Sequence, residues 1–329
     1  MPFLRFLSCC LIFLGFCSLS GAEKTLHGRV YVDAESIAAR YGMRHITVVA
    51  SKQVRLQSQW TRLDFKIHQR SFDLNGLKHP LGFPVAQYQG KLWISKSDLS
   101  RTLDPLLVPQ KTDPKPKLYR IVIDPGHGGK DHGAINNSMG INEKILTLKV
   151  AKRLEKQLEA LGYQVLLTRE SDRYLSLKDR AAFANRANAD LFISIHFNAV
   201  SSQSVHGIET FVMTPEGQPS SSTSRSRSSD GRSYIGNRNN TWNLQAASLL
   251  QRSLIDALPH EADRGVKRAR FQVLREVKVP GLLLELGFLT HPATARKLKS
   301  EAYINHLADT VKNGIFQYQK KLNEVRGRG

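Results

Sequence analysis

The chain has 329 residues, enough for two domains and for at least one full hydrophobic core. Its 48 lysines and arginines against 28 acidic residues leave a net charge of +20, which draws the protein toward an anionic surface. The 3 cysteines, Cys9, Cys10 and Cys17, all lie near the N-terminus; a mature chain without that segment forms no disulfide and offers no thiolate to a metal.

Residues 1–22 read as a secretory signal. Arg5 supplies the positive end, Phe6 to Leu19 the apolar run, and Ser20-Gly21-Ala22 the small residues before Glu23. The run is short and soon interrupted for a membrane span, with a retained N-terminal anchor as the alternative to a cleaved signal. Phe16 is bulky where a small residue precedes a lipidated cysteine, which argues against lipidation of Cys17. A periplasmic or extracellular location follows, and with it an anionic envelope polymer rather than nucleic acid as the partner of the basic surface. Basic residues are scattered rather than blocked, so part of the charge is ordinary solvated surface.

Residues 25–104 form a small α+β unit. Val30-Tyr-Val and Leu92-Trp-Ile read as strands, and Ala34 to Tyr41 as a helix closed by Gly42. Arg62-Leu-Asp-Phe-Lys-Ile-His alternates as a half-buried strand does. Phe72-Asp-Leu-Asn-Gly76, Gly82-Phe-Pro and Tyr88-Gln-Gly-Lys-Leu-Trp-Ile resemble the small N-terminal domain of copper amine oxidases, which implies a targeting or stalk module without copper chemistry. His27, His45, His68 and His79 lack metal-ligand spacing and read as surface or turn histidines. Pro105, Pro109, Pro114 and Pro116, mixed with lysines, mark residues 105–117 as a stiff polar linker.

From 118 to 322 strand and helix alternate: a strand to Asp124, a helix over about 142–161, a strand from Tyr163 to Thr168, and a helix capped by Ser176-Leu-Lys-Asp179. Strands ending at His196 and Met213 follow. Glu301 to Lys321 makes a closing amphipathic helix with Tyr303, Leu307, Val311, Ile315 and Tyr318 on one stripe. The order implies an α/β three-layer sandwich, a mainly parallel sheet with helices on both faces. Residues 215–240 begin as a Ser/Arg-rich insertion whose composition cannot pack a core. It reads as a disordered surface loop, with a mobile lid or polyanion-binding loop near the site as the alternative.

Three apolar runs end in polar side chains: Ile121-Val-Ile-Asp-Pro-Gly-His127-Gly-Gly, Leu191-Phe-Ile-Ser-Ile-His196-Phe-Asn-Ala and Leu282-Leu-Leu-Glu285-Leu-Gly-Phe-Leu-Thr. Ligands of open α/β sheets sit outside the carboxyl ends of the strands, so these groups can converge on one point. Glu143 opens the helix after the His127 turn, where it either joins them or complements the helix dipole. A buried imidazole at His196 and a carboxylate inside the strand of Glu285 both need partners.

These runs, with Gly140-Ile-Asn-Glu-Lys, Gly207-Ile-Glu-Thr-Phe, Arg264-Gly-Val-Lys and Phe271-Gln-Val-Leu-Arg, resemble the zinc-dependent N-acetylmuramoyl-L-alanine amidases over residues 120 to 320. The resemblance implies a monomeric enzyme acting on peptidoglycan, with room for an activator protein. It implies zinc held by His127, Glu143 and His196, and Glu285 as the catalytic carboxylate. His132, in place of a more usual proline, lies near the site, and Phe197 is expected to narrow the cleft. Asn198 is expected to orient His196 or bind substrate, and Arg169 and Arg180 to tie helix to strand. His206, His260, His291 and His306 have no connection to the metal. The rivals are a zinc hydrolase that cuts within the stem peptide and a non-catalytic wall-binding protein.

Overall fold

The structure, a computed structural model, describes residues 23–112, 114–223 and 227–327. The expected export signal lies outside them. β1 (Glu23–Leu26) and β2 (Arg29–Asp33) open as a hairpin, and α1 (Ala34–Arg40) follows, capped by Asp33, which accepts from the Ser36 amide at 2.9 Å. β3 (Arg44–Val49), β4 (Gln53–Gln57), β5 (Arg62–Lys66), β6 (Ser71–Leu74) and β7 (Leu77–Pro80) meander as an antiparallel sheet. β8 (Ala86–Tyr88) and β9 (Lys91–Ser95) return to complete a second sheet, β1-β2-β9-β8. Ile37, Leu56, Leu63, Phe65 and Leu92 share one core.

The proline-rich stretch is packed, not a free spacer. After α2 (Lys96–Asp98), α3 (Asp104–Leu107) takes up its first residues, and Pro105 and Pro109 are buried. Leu106 touches both hydrophobic cores. Side chains of a later helix take the carbonyls left open here: Gln245 Nε2 donates to Pro105 O at 2.7 Å and Trp242 Nε1 to Pro114 O at 3.0 Å.

The larger unit begins with β10 (Arg120–Pro125), the short pair β11 (Ile135–Asn136) and β12 (Ile141–Asn142), and α4 (Glu143–Glu159). Then come β13 (Gln164–Leu167), α5 (Leu177–Arg186), β14 (Leu191–Asn198), β15 (Ile208–Met213) and α6 (Asn240–Ala257). β16 (Asp263–Ala269), α7 (Gln272–Glu276), β17 (Gly281–Phe288), α8 (Pro292–Leu298) and α9 (Glu301–Arg326) complete it. The sheet order is β13-β10-β14-β17-β15-β16. Ile121, Ile123, Ile193 and Leu284 pack against α4, α6 and α9, while Val122, Phe192 and Leu283 pack against α5 and α7. Alternate residues of each strand thus serve opposite layers, as a strand buried on both faces requires.

β13, β10, β14 and β17 are parallel, but β15 runs antiparallel to β17 and carries β16 with it. That reversal corrects the expected place of the Ser/Arg insertion. Leaving from Met213, the insertion starts at the end of the sheet opposite His196 and Glu285, not beside them. Nor is it a disordered loop where it is described. Gln218 is buried and donates to Asp98 Oδ1 at 3.0 Å, Asp230 pairs with Arg270 at 2.8 Å, and Arg70 donates to the carbonyls of Pro219, Ser220 and Thr223. Short helical turns at Ser228–Gly231 and Ile235–Asn239 finish it. Polar side chains of other segments, rather than an apolar core, hold these residues.

The two units meet beside β16. His79, read from sequence as a surface or turn residue, is fully buried there, its ring nitrogens 2.9 Å from Leu77 O and 2.9 Å from Ser248 Oγ. Burial drives its pKa from 6.5 to about 4. As pH falls through that window the unfolded chain takes up a proton that the folded chain refuses, so stability is lost. The gap is worth about 3 kcal/mol. Buried Asp98, raised to about 6, has the opposite sign: its contribution is present below 3.8 and fades as pH rises through about 6. Only a difference isolates the histidine. Between pH 7 and 4, urea unfolding is expected to show the wild type losing about 3 kcal/mol more than His79→Gln; parallel curves would contradict it.

Candidate active site

The turn after β10 is built before any ligand enters it. Asp124 is fully buried and accepts from Thr168 Oγ1 at 2.6 Å, Ser194 Oγ at 2.8 Å and Arg180 at 2.8 Å. Arg180 also donates to Pro125 O at 2.8 Å and His127 O at 2.7 Å. Arg169 donates to Pro125 O and Gly126 O, both at 2.9 Å, and to Lys144 O at 2.7 Å. Both arginines therefore pin the turn, as their expected tying role requires, and hold His127 at a positive φ of 62° that a non-glycine residue seldom adopts. Removing one partner strands a buried charge. Asp124→Ala is expected to cost about 3–5 kcal/mol in denaturant unfolding, and a loss below about 1 kcal/mol would show the pair to be dispensable.

The glycines have steric reasons. A Cβ on Gly126 would come within 2.2 Å of the His196 ring, and one on Gly133 within 2.5 Å of Glu143 Oε2. Around this cleared space three donors meet. His127 Nε2 is 3.0 Å and His196 Nδ1 3.1 Å from Glu143 Oε1, and the two nitrogens are 3.2 Å apart. They form the one group of three or more potential metal ligands among the described residues. Asp131 Oδ1, 2.9 Å from His127 Nδ1, turns the Nε2 of that ring inward. The amides of Phe197, at 3.0 Å, and Ala134, at 2.7 Å, donate to the two oxygens of Glu143. Although burial opposes it, the bonds from His127 and His196 hold the Glu143 carboxyl well below the usual range. For His127, burial pulls downward but Glu143 and Asp131 outweigh it and raise the pKa.

This donor set fits a catalytic zinc. Three N/O ligands without a thiolate suit that ion and leave a fourth position open. Tetrahedral coordination with bonds of about 2.0–2.1 Å spaces ligand atoms about 3.3–3.4 Å apart, close to the separations found.

Glu285 stands directly across from His196 in the β14–β17 register. Leu284 and Leu286 beside it are fully buried, and Glu285 Oε2 is buried without a hydrogen-bond partner among the described residues. Burial first, then the nearby carboxylates Glu143 and Glu209, push its pKa well above the usual value, against a smaller opposing effect of Lys267. Glu285, His127, Glu143 and His196 line one groove of about 400 Å³ whose other wall includes Leu177, Phe271 and Val273.

Of the two roles expected for Asn198, the orienting of His196 is not found, while its place in the groove lining keeps the substrate role open. Its Nδ2 donates at 2.9 Å to Glu209 Oε1, not to His196. Glu209, buried opposite Glu285, also accepts from Arg264 Nε at 2.8 Å and from Lys267. This network was missed, although a carboxylate in Ile208-Glu-Thr-Phe carries the same signal as Glu285: a charge inside an apolar strand. Phe197 is buried in the main core, and its amide serves Glu143. His132 is exposed, its Nδ1 3.4 Å from Asn142 Nδ2. His206 stacks on His291 at 4.8 Å, and neither these nor His260 and His306 join the donor group.

A family profile described as N-acetylmuramoyl-L-alanine amidase matches residues 121–317. The chain is similar to the N-acetylmuramoyl-L-alanine amidase AmiC of Neisseria meningitidis, with 33% identity over 234 residues, 64% of this chain and 56% of that protein. It is 39% identical over 202 residues to the sporulation-specific N-acetylmuramoyl-L-alanine amidase of Bacillus subtilis, covering 61% of this chain and 68% of the relative. Among solved structures, AmiC2 of Nostoc punctiforme, an N-acetylmuramoyl-L-alanine amidase, superposes with a TM-score of 0.52 at 31% identity, over 61% of this chain and 97% of that one.

Proposed function

The chain belongs to the N-acetylmuramoyl-L-alanine amidase family, and from that premise we propose that it hydrolyses the amide joining N-acetylmuramic acid to L-alanine in peptidoglycan. The observation that carries this reading is the meeting of the His127, Glu143 and His196 donors with Glu285, whose Oε2 is buried without a hydrogen-bond partner among the described residues, at one end of the sheet. His127, Glu143 and His196 would hold the zinc. Bound there, zinc supplies Lewis acidity toward the scissile carbonyl and brings the pKa of a water to about 7.

The rest is the work of the protein's own groups. Glu285 takes the proton of the attacking water on its free oxygen and returns it to the departing alanine amine. Its raised pKa suits the second half of that task. Asp131 keeps the His127 ring in one tautomer and orientation. Leu177, Phe271 and Val273 give the cleft an apolar lining. Residues 1–22 and the basic composition support export and action in the cell envelope, in wall remodelling or cell separation.

A purified disaccharide-peptide tests the reading. The expected products are a disaccharide with a free lactyl carboxylate and a peptide with a free L-alanine amine, identified by mass. Cuts within the stem would replace this reading with a peptidase, and a zinc-loaded protein that binds without cutting would replace it with a binding module.

A further inference from the structure

We propose that Arg264 and Lys267 form a carboxylate-binding subsite beside Glu285 that reads an anionic group on the peptide side of the scissile bond. The inference rests on the amidase reading above and adds a substrate feature to it.

In a regular strand, side chains three residues apart point to opposite faces. Arg264 and Lys267 nevertheless reach the same carboxylate oxygen, Glu209 Oε2. The reason is a bulge. Ile208 pairs with Asp263, but Thr210 pairs with Val266, so two residues of β16, Arg264 and Gly265, lie opposite the single Glu209. Gly265 takes φ +77°, and a Cβ there would meet Lys78 O at 2.6 Å. The N-terminal unit is thus packed against the bulge that aims both cations. Bulges beside active sites re-aim side chains in this way.

Two cations share one carboxylate oxygen, and Glu285 is the next acidic group along the sheet. The other oxygen of Glu209 accepts from Asn198. Arg264 spends only Nε on Glu209, and its guanidinium lies 4.9 Å from the Phe288 ring centroid. Its two Nη groups have no hydrogen-bond partner among the described residues, and its side chain is 33% exposed. A guanidinium fixed along one edge and open along the other is shaped for a carboxylate. Lys267 beside it is 26% exposed.

The placement matches the cleavage geometry. Across the end of the sheet the order is His196 on β14, Glu285 on β17, Glu209 on β15, and then the cations on β16. Successive strands are spaced about 4.8 Å apart, and the charged ends reach back from β16 to Glu209 on the strand beside Glu285, so they stand between one and two strand spacings, about 5–10 Å, from Glu285 along the sheet. Two residues of extended peptide span about 7 Å. A peptide leaving the cut amide toward β16 would bring the free α-carboxylate of its second residue, D-isoglutamate, to the Arg264 fork.

Two disaccharide-peptides that differ only in D-isoglutamate or D-isoglutamine at that position test this, each assayed for kcat/KM with the full zinc-loaded protein. The wild type is expected to favour the carboxylate by about tenfold or more, with the difference mainly in KM. Arg264→Gln and Lys267→Met should each pull the ratio toward one, and Arg264→Lys should keep part of it. If Arg264→Gln fails to fold, the wild-type ratio and Lys267→Met still decide. Equal cleavage of both substrates by the wild type, or a preference that survives in Arg264→Gln, overturns the subsite while leaving the amidase reading intact. Failure to cut either substrate at the sugar–peptide amide overturns both.

Discussion

Glu285→Gln is expected to lower kcat on a disaccharide-peptide by about 10²- to 10⁴-fold, the usual worth of a positioned acid–base group. The amide fills the same volume but cannot take a proton from water and return it to an amine. Zinc content should stay at wild-type level, because Glu285 is not among the three converging donors. Stability should not fall either. In the wild type the carboxylate keeps one buried oxygen without a hydrogen-bond partner among the described residues, near Glu143 and Glu209. Removing that charge relieves a desolvation cost. Wild-type turnover in this variant would remove Glu285 from the chemistry, and loss of zinc would make it a ligand.

His196→Ala should lose both metal and turnover, with activity falling to the level of the chelated wild type. The imidazole supplies one of three donors, and its removal leaves Glu143 Oε1 with a single histidine partner. Gly126→Ala separates donor loss from site geometry. It deletes no ligand, but its Cβ would come within 2.2 Å of the His196 ring and displace it. Both variants should therefore show low zinc by elemental analysis, while His132→Ala, at an exposed position, keeps it. Full zinc occupancy in His196→Ala would refute the ligand assignment.

The parts of this site that were legible in the sequence share one property. His127, His196 and Glu285 each end or interrupt an apolar strand, and parallel strands must deliver their ends to the same edge. Helix limits were legible for similar local reasons: Ser176 caps α5 by accepting from the Asp179 amide at 3.1 Å, as its spacing suggests. Strand direction is not local. Nothing in Gly207-Ile-Glu-Thr-Phe says that β15 runs against β17, and that one reversal moved the Ser/Arg segment to the far end of the sheet.

Composition misled at the described residues of 215–240 because order there comes from Asp98, Arg70 and Arg270, residues distant in the chain that take up their polar groups. The Glu209 network stayed hidden for a related reason. Its geometry depends on a one-residue bulge, which register creates and spacing along a strand conceals. His79 shows the same limit, being buried by a partner helix that the sequence reading did not bring to it.

Together this donor cluster and Glu285 are expected to cut peptidoglycan at the sugar–peptide amide. Intact peptidoglycan incubated with the purified protein, with chelator and after zinc is restored, tests it most directly through the masses of the released fragments. Free stem peptides beginning with L-alanine are expected, absent with chelator and recovered with zinc. Fragments cut inside the stem, or release that chelation leaves unchanged, would contradict it.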